Sequence, residues 1–304
     1  MIFLLRLFSL LPMRLLQLLG WALGWLVFAL SPTWRRRFVA NAAQAGYRFA
    51  QVRAAVGHAG RMVAELPKLW CGPPVPVALG QAERELLDRI RASGRGVLFM
   101  TPHMGCFELS SQTVAQYLQL GQGKGEDAGE DGRGPMVVLY RPARQAALAR
   151  LLQTARNRHG QIAVPTDMGG VRAMLKALRK GGAVGLLPDQ APPWGMGQWA
   201  PFFGKPAYTM TIAARLIAQT RPHVVIARCE RPGLWQGGYR LLLQELALDA
   251  DAGQDALVRQ INEAVQQQIR ACPEQYMWGY ARYKVPRGMP ADQPHPQRLE
   301  ELQP

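Results

Sequence analysis

The chain has 304 residues, of which 48% are apolar, and carries a formal charge of +15. That apolar content supports a sizeable buried core and excludes a disordered chain. The charge calls for an anionic partner, and the absence of zinc-finger spacing and of an aromatic ribonucleoprotein motif favours a membrane or an acidic substrate over nucleic acid.

Residues 1–30 are apolar apart from a few polar positions, with Arg6 and Arg14 the only charges. The stretch from Leu15 to Leu30 is uncharged, yet shorter than the roughly 20 residues of a standard membrane span. No small-x-small cleavage site follows, as a signal peptide requires. Instead Ser31-Pro32-Thr33-Trp34 leads into Arg35-Arg36-Arg37. Trp21, Trp25 and Trp34 suit a membrane interface, and the arginines suit the cytoplasmic side. Residues 1–32 are therefore expected to form an uncleaved membrane anchor with the body in the cytoplasm. A helix lying along the bilayer is the alternative.

Residues 34–70 read as helical and basic, and Pro73, Pro74 and Pro76 end them. The spacing of QAERELLDRIRA at 81–92 predicts an amphipathic helix closed by Ser93-Gly94. Short apolar runs at 97–100, 136–140, 161–164, 183–187, 223–229 and 239–243 read as strands. Helices are expected at 107–120, 143–158, 170–180, 209–219 and 255–271. Strands alternating with helices imply an α/β domain with a mostly parallel sheet covered on both faces, here over 33–288. The Gly-rich, charged segment 121–134 reads as a solvent loop, and 289–304 as a flexible tail. The four cysteines, Cys71, Cys106, Cys229 and Cys272, lack C-x-x-C spacing. A reducing compartment is the simplest reading of them, and Cys106 reads as packing.

The chemistry concentrates where the strand 97–100 runs into Thr101-Pro102-His103-Met104-Gly105-Cys106-Phe107-Glu108. Ligands of open α/β sheets gather at the carboxyl ends of strands, where His103 falls. A hydroxyl that attacks a thioester needs a base to take its proton, and histidine titrates in the right range. A carboxylate on the other ring nitrogen fixes the tautomer and stabilises the imidazolium. His103 and Glu108 are the expected catalytic pair, and the acceptor hydroxyl supplies the nucleophile. Alone, H-x-x-x-x-E is a weak motif. A zinc pair one helical turn apart and a G-x-S-x-G elbow are both lacking.

Further blocks follow in order: Tyr140-Arg141-Pro142, Arg156-Asn157-Arg158, the Leu-Lys-x-Leu-Arg-Lys-Gly run at 175–181, Leu187-Pro188-Asp189-Gln190, Pro201-Phe202-Phe203-Gly204 and Pro273-Glu274-Gln275-Tyr276-Met277-Trp278. With the His103–Glu108 block, they make the chain resemble the lipid A biosynthesis acyltransferases, the lauroyl/myristoyl family within the lysophospholipid acyltransferase-like group. The resemblance runs from the N-terminal anchor to about residue 288.

It implies the αβα sandwich of glycerolipid acyltransferases and an inner-membrane location, with the site on the cytoplasmic face. It also implies an acyl-acyl carrier protein donor and a phosphorylated, usually Kdo-bearing, lipid A precursor as acceptor. The ester would form on the hydroxyl of a 3-hydroxyacyl chain, without metal or nucleotide cofactor. By matched motif His103 and Glu108 are catalytic, and Arg156 and Asp189 are the other functional polar positions. Arg141, Arg158 and Gln190 join them as candidate substrate-binding residues, the arginines because bidentate guanidinium groups suit phosphates and carboxylates. Phe202-Phe203-Gly204 could shape an acyl groove or pack the core. The runner-up acceptor is another glycolipid or an ornithine lipid. A non-catalytic membrane-surface protein is a third reading, which the intact His103/Glu108 pair disfavours.

Overall fold

The computed structural model describes residues 2–118, 134–140, 157, 159–233 and 237–302. Six helices precede the sheet: α1 (Ile2–Leu10), α2 (Met13–Leu30), α3 (Pro32–Gln44), α4 (Phe49–Val52), α5 (Ala54–Ala64) and α6 (Leu66–Cys71). Then come β1 (Ala78–Leu79), α7 (Gln81–Ser93), β2 (Val97–Met100), α8 (Phe107–Tyr117), β3 (Met136–Tyr140) and β4 (Gln161–Pro165). The second half holds α9 (Met168–Arg179), β5 (Ala183–Leu186), β6 (Gly197–Phe202), β7 (Lys205–Met210), α10 (Ile212–Thr220), β8 (His223–Glu230), β9 (Arg240–Glu245) and α11 (Gly253–Ala271).

Among the described residues, seven strands form one sheet in the order β1-β9-β8-β2-β5-β3-β4. The run from β8 to β4 is parallel, and β9 returns antiparallel to β8. β2 and β5 lie in the middle, and every residue of each is buried. That is why they read as continuous apolar runs rather than alternating ones. Val97, Phe99 and Ala183 pack with Leu86, Ile90, Leu109 and Val114 of α7 and α8 on one face. Leu98, Met100 and Leu186 pack with Met174, Leu216 and Val258 of α9, α10 and α11 on the other. The expected α/β sheet covered on both faces is present.

Two local expectations change. Residues 197–210 form a two-stranded hairpin, β6–β7, that the pattern at 209–219 hid; α10 begins only at Ile212. Its turn carries Phe203 at φ 46° and Gly204 at φ 70°. Phe rarely adopts that conformation, but Gln266 accepts from the Phe203 amide and Gln44 donates to its carbonyl. Phe202 and Phe203 pack with Trp278 and Phe38, so this block builds core rather than an acyl groove. The helix expected at 143–158 lies outside the described residues, as does nearly all of the 121–134 loop.

The N-terminal segment, expected to be a membrane anchor, packs one face against the body. α2 is long and apolar enough to cross a bilayer, but Leu16, Gln17, Gly20 and Gly24 are buried against the body. α2 and α5 run antiparallel in close contact: a Cβ on Gly60 would stand 1.9 Å from the Gly20 carbonyl, and one on Gly24 would stand 2.2 Å from that of Val56. Gln17 donates to Glu65 and Tyr239, and Glu65 takes Arg231 Nε at 2.8 Å in a fully buried pair. Trp21 lies on Gly57 with the Arg61 guanidinium 4.6 Å from its ring, and Trp25 and Trp34 pack around Phe28 and Phe38. The tryptophans expected at a membrane interface thus face the protein. The exposed face consists of Leu15, Leu18, Leu19, Leu23, Leu26, Val27 and Leu30, continued by Leu7, Phe8 and Leu10 of α1.

Candidate active site

β2 delivers Thr101-Pro102-His103 to the carboxyl edge of the sheet, beside the end of β5. Thr101 continues the ladder by donating to the Leu186 carbonyl. The chain then turns sharply to enter α8. Gly105 makes this possible: its φ is +54°, and a Cβ there would stand 2.0 Å from the Cys229 carbonyl of β8. Cys106 donates to that same carbonyl at 2.8 Å and is buried, so its thiol packs as expected.

The Pro273–Trp278 block supplies the other side of this turn. Gly105 donates to the Gln275 carbonyl, Met277 donates to the His103 carbonyl, and Met104 bridges to Tyr276. The Gln275 amide in turn clamps Arg231, accepting from its backbone N–H and donating to its carbonyl. The block thus fixes the backbone of the His103 loop, a role its sequence did not disclose.

The carboxylate that meets the His103 ring is Asp189. Its Oδ1 lies 2.6 Å from His103 Nδ1, and its Oδ2 accepts from the His103 backbone N–H at 2.9 Å. Asp189 is 2% exposed. Burial pushes its carboxyl up, but the His103 ring, both hydrogen bonds from His103 and the Arg282 guanidinium outweigh burial and hold it below the ordinary value of 3.8. An ionised Asp189 requires Nδ1 to carry a proton, which leaves Nε2 to act as a base. The Tyr276 phenol, pushed well up by burial and then by the Asp189 charge, stays protonated beside that carboxylate. Arg282 is buried too, donating to the Tyr208 carbonyl and the Thr209 hydroxyl. Asp189, expected among the substrate-binding residues, has both oxygens on His103 and faces the imidazole. Arg282 was not singled out by motif chemistry, and Tyr276 entered only within the Pro273–Trp278 block; here both act on the Asp189 carboxylate, Arg282 through its charge.

His103 opens onto a cavity of about 1010 Å³ that Glu108 and Gln190 also line. Phe107 packs its ring 5.1 Å from that of His103. The first turn of α8 sets Glu108 on this wall, where a helix N-terminus favours a carboxylate. The cavity reaches both faces of the sheet. One arm runs between α8 and the sheet, past Ser110, Ser111, Val114, Val138 and Gly185; the other runs under α9 and α10, past Val171, Met174, Leu175, Ile212 and Leu216. Arg215 and Arg287 stand on its rim, exposed. Two buried polar atoms that line the first arm, Ser110 Oγ and Gln161 Nε2, have no hydrogen-bond partner among the described residues. Arg141, Arg156 and Arg158 lie outside the described residues.

An imidazole held in one tautomer at the mouth of a long apolar cavity can deprotonate a hydroxyl beside a fatty chain. The comparisons with known proteins give the family. The family described as bacterial lipid A biosynthesis acyltransferase matches residues 1–285. The chain is 23% identical over 199 residues to the lipid A biosynthesis palmitoleoyltransferase of Escherichia coli, covering 66% of this chain and 59% of that protein. It is 24% identical over 210 residues to the lipid A biosynthesis lauroyltransferase of the same organism, covering 68% and 62%. A lipid A biosynthesis acyltransferase of Haemophilus influenzae is 26% identical over 196 residues, covering 64% and 55%. The chain thus spans less than two thirds of the length of these relatives. The match over residues 1–285 nevertheless takes in the His103 loop, Asp189 and the Pro273–Trp278 block alike, and the chain belongs to the bacterial lipid A biosynthesis acyltransferase family.

Proposed function

We propose that this protein transfers a fatty acyl group from acyl-acyl carrier protein to the hydroxyl of a 3-hydroxyacyl chain on a phosphorylated, Kdo-bearing lipid A precursor, at the cytoplasmic face of the inner membrane. The observation that carries the reading is His103, oriented by Asp189 at the mouth of an apolar cavity. His103 Nε2 takes the proton of the acceptor hydroxyl as its oxygen attacks the thioester carbonyl. The tetrahedral adduct collapses, the C–S bond breaks, and the departing thiolate takes the proton back from His103. The products are the new ester and the free carrier thiol. Asp189 keeps the ring in register and stabilises the imidazolium between the two proton transfers. Glu108, on the same wall, accepts a hydrogen bond from the acceptor and aims its hydroxyl.

Charge supports an anionic acceptor and an acidic carrier protein. Arg215 and Arg287 line the rim, and the net charge is +15. Arg141, Arg156 and Arg158 are assigned to the acceptor's phosphates and sugar carboxylates on the strength of their motifs. The test compares wild type with His103→Ala and Glu108→Ala in detergent extracts, using acyl-carrier-protein donors and a labelled lipid A precursor. His103→Ala should lower transfer by about a hundred- to ten-thousand-fold with the melting temperature kept, and Glu108→Ala should also abolish measurable turnover. Wild-type rates in a folded His103→Ala protein would sink the mechanism.

A further inference from the structure

We propose that the arm between α8 and the sheet receives the donor's acyl chain, and that Gly185 and Gln161 set the length of chain it accepts. The inference rests on the acyltransferase reading and goes beyond it by assigning the chain-length limit to two residues.

The arm starts where the chemistry is. Phe107, against His103, marks its mouth, and the same face of α8 descends through Ser111 to Val114. Gly185 lies opposite, in mid-strand on β5, level with Phe99 of β2 and Val138 of β3. A Cβ there would meet Met136 Sδ at 3.5 Å, Val138 Cγ2 at 3.6 Å and Ser111 Cβ at 4.0 Å. These are ordinary contacts, so the backbone does not require glycine at this position. What glycine does is leave the arm open between α8 and the sheet.

Gln161 closes the arm. It pairs with Met136 of β3, whose next residue, Val137, pairs with Val184 of β5. Val184 in turn pairs with Leu98, so Gln161 stands level with Val97, at the start of β2. Four residue steps of about 3.3 Å separate Val97 from Thr101, so the floor lies roughly 13 Å below the sheet edge. The Gln161 side chain is buried, and its Nε2 has no hydrogen-bond partner among the described residues. The Ser110 hydroxyl higher in the arm can turn to a carbonyl of its own helix when a chain covers it, but an aliphatic terminus leaves the Gln161 amide unsatisfied, so the chain stops short of Gln161. With C–C bonds near 1.52 Å, a zigzag chain advances about 1.25 Å per carbon, so the arm holds roughly ten to twelve carbons.

The second arm suits the other substrate. Its rim carries Arg215, Gln219 and Arg287, all exposed, and Met168 is 67% exposed. A polar, anionic headgroup fits there better than a simple hydrocarbon chain.

The test is a donor series of saturated acyl-carrier-protein thioesters from about eight to sixteen carbons, with a Kdo-bearing lipid A precursor and the full chain in detergent. Wild type should favour donors of about ten to twelve carbons. Gly185→Leu should move the optimum shorter, and Gln161→Ala should move it longer. Each should change the ratio of long- to short-donor transfer on the order of tenfold, the usual weight of a methylene in an apolar pocket. Gly185→Ala, which the ordinary contact distances accommodate, should move it in the same direction as Gly185→Leu by less, and it keeps the test open should the leucine variant not fold. Unmoved profiles in Gly185→Ala and Gln161→Ala, in a wild type that does transfer, would overturn the inference alone. So would a profile that shifts instead with Leu175→Trp in the second arm. No transfer by folded wild type with any donor would overturn the acyltransferase reading and this inference with it.

Discussion

His103 is oriented by a residue 86 positions away in sequence. Asp189 holds both its ring and its backbone, so replacing one carboxylate oxygen should cost orientation as well as charge. Asp189→Asn keeps the shape but lets the ring take the wrong tautomer. Transfer should fall on the order of a thousandfold or more, as with the corresponding change in a serine protease triad. The same variant carries a sign in pH. The carboxyl of Asp189 is held below its ordinary value of 3.8, so its contribution to stability is present above that pH and lost as pH falls through the lower folded value. The stability gap between wild type and Asp189→Asn should therefore be full at neutral pH and shrink below about pH 4. Thermal melts across that range check it, and a gap that stays constant into acid would mean that the carboxylate is not the stabilising species. His103 could be found from sequence because a strand end and its following loop are contiguous. Its partner could not be paired with it, because β2 and β5 become neighbours only once β3, β4 and α9 have been threaded past them. Glu108 is nearer in sequence, yet α8 carries it to the cavity wall, while Asp189 takes Nδ1.

The central strands were legible because each is short, apolar and bounded by Gly, Pro or charge, and β2, β3, β5 and β8 fall where the pattern puts them, whereas the two-residue edge strand β1 was not read. The β6–β7 hairpin was not, because Pro201 interrupts its strand and its turn uses Phe203, whose conformation depends on Gln266 and Gln44 from distant helices. The seating of the N-terminal helices on the body was hidden for a similar reason. A run of leucines looks the same whether one face meets lipid or protein, and only Gly20, Gly24, Gly57 and Gly60 hint at two helices in backbone contact. That contact makes a prediction at the scale of the helix pair. Glycine in a helix interior normally costs stability relative to alanine, by roughly 0.5–1 kcal/mol. At Gly60 the sign should invert. The added Cβ would stand 1.9 Å from the Gly20 carbonyl, against backbone that cannot yield, so Gly60→Ala should destabilise by about 1–3 kcal/mol, the usual cost of overpacking. A Gly60→Ala protein that melts at or above the wild-type temperature in detergent would mean that α2 is not seated on α5.

At the scale of the whole molecule, the seating of α2 constrains how the protein would meet a bilayer. One face of α2 is committed to the body through Gln17, Gly20 and Gly24, and Lys68 of α6 caps the turn between α1 and α2 by donating to the Ser9 and Leu11 carbonyls. Arg231 and Glu65 sit directly behind, joining this layer to the end of β8, where the Cys229 carbonyl holds the His103 loop. A helix so engaged cannot also leave the body to cross a membrane without stripping Glu65 and Tyr239 of the Gln17 amide and exposing Leu16. Losing a hydrogen bond to a buried charged group costs about 1.5–3 kcal/mol. What remains for lipid is the opposite face, a continuous leucine surface over α1 and α2 flanked by Arg6, Arg14, Arg35, Arg36 and Arg37. Such a face, with arginines at the headgroup level, fits a helix pair lying in one leaflet better than a span. We therefore expect both ends of the pair on the same side of the membrane. Arg6→Cys and Arg36→Cys, each with Cys71 replaced by Ser so that the remaining cysteines, Cys106, Cys229 and Cys272, are all buried, can be probed with an impermeant maleimide. In intact spheroplasts neither should label, while after detergent both should. Labelling of Arg6→Cys in intact spheroplasts would put the N-terminus across the membrane, and the seat of α2 on α5 would then have to open in the bilayer.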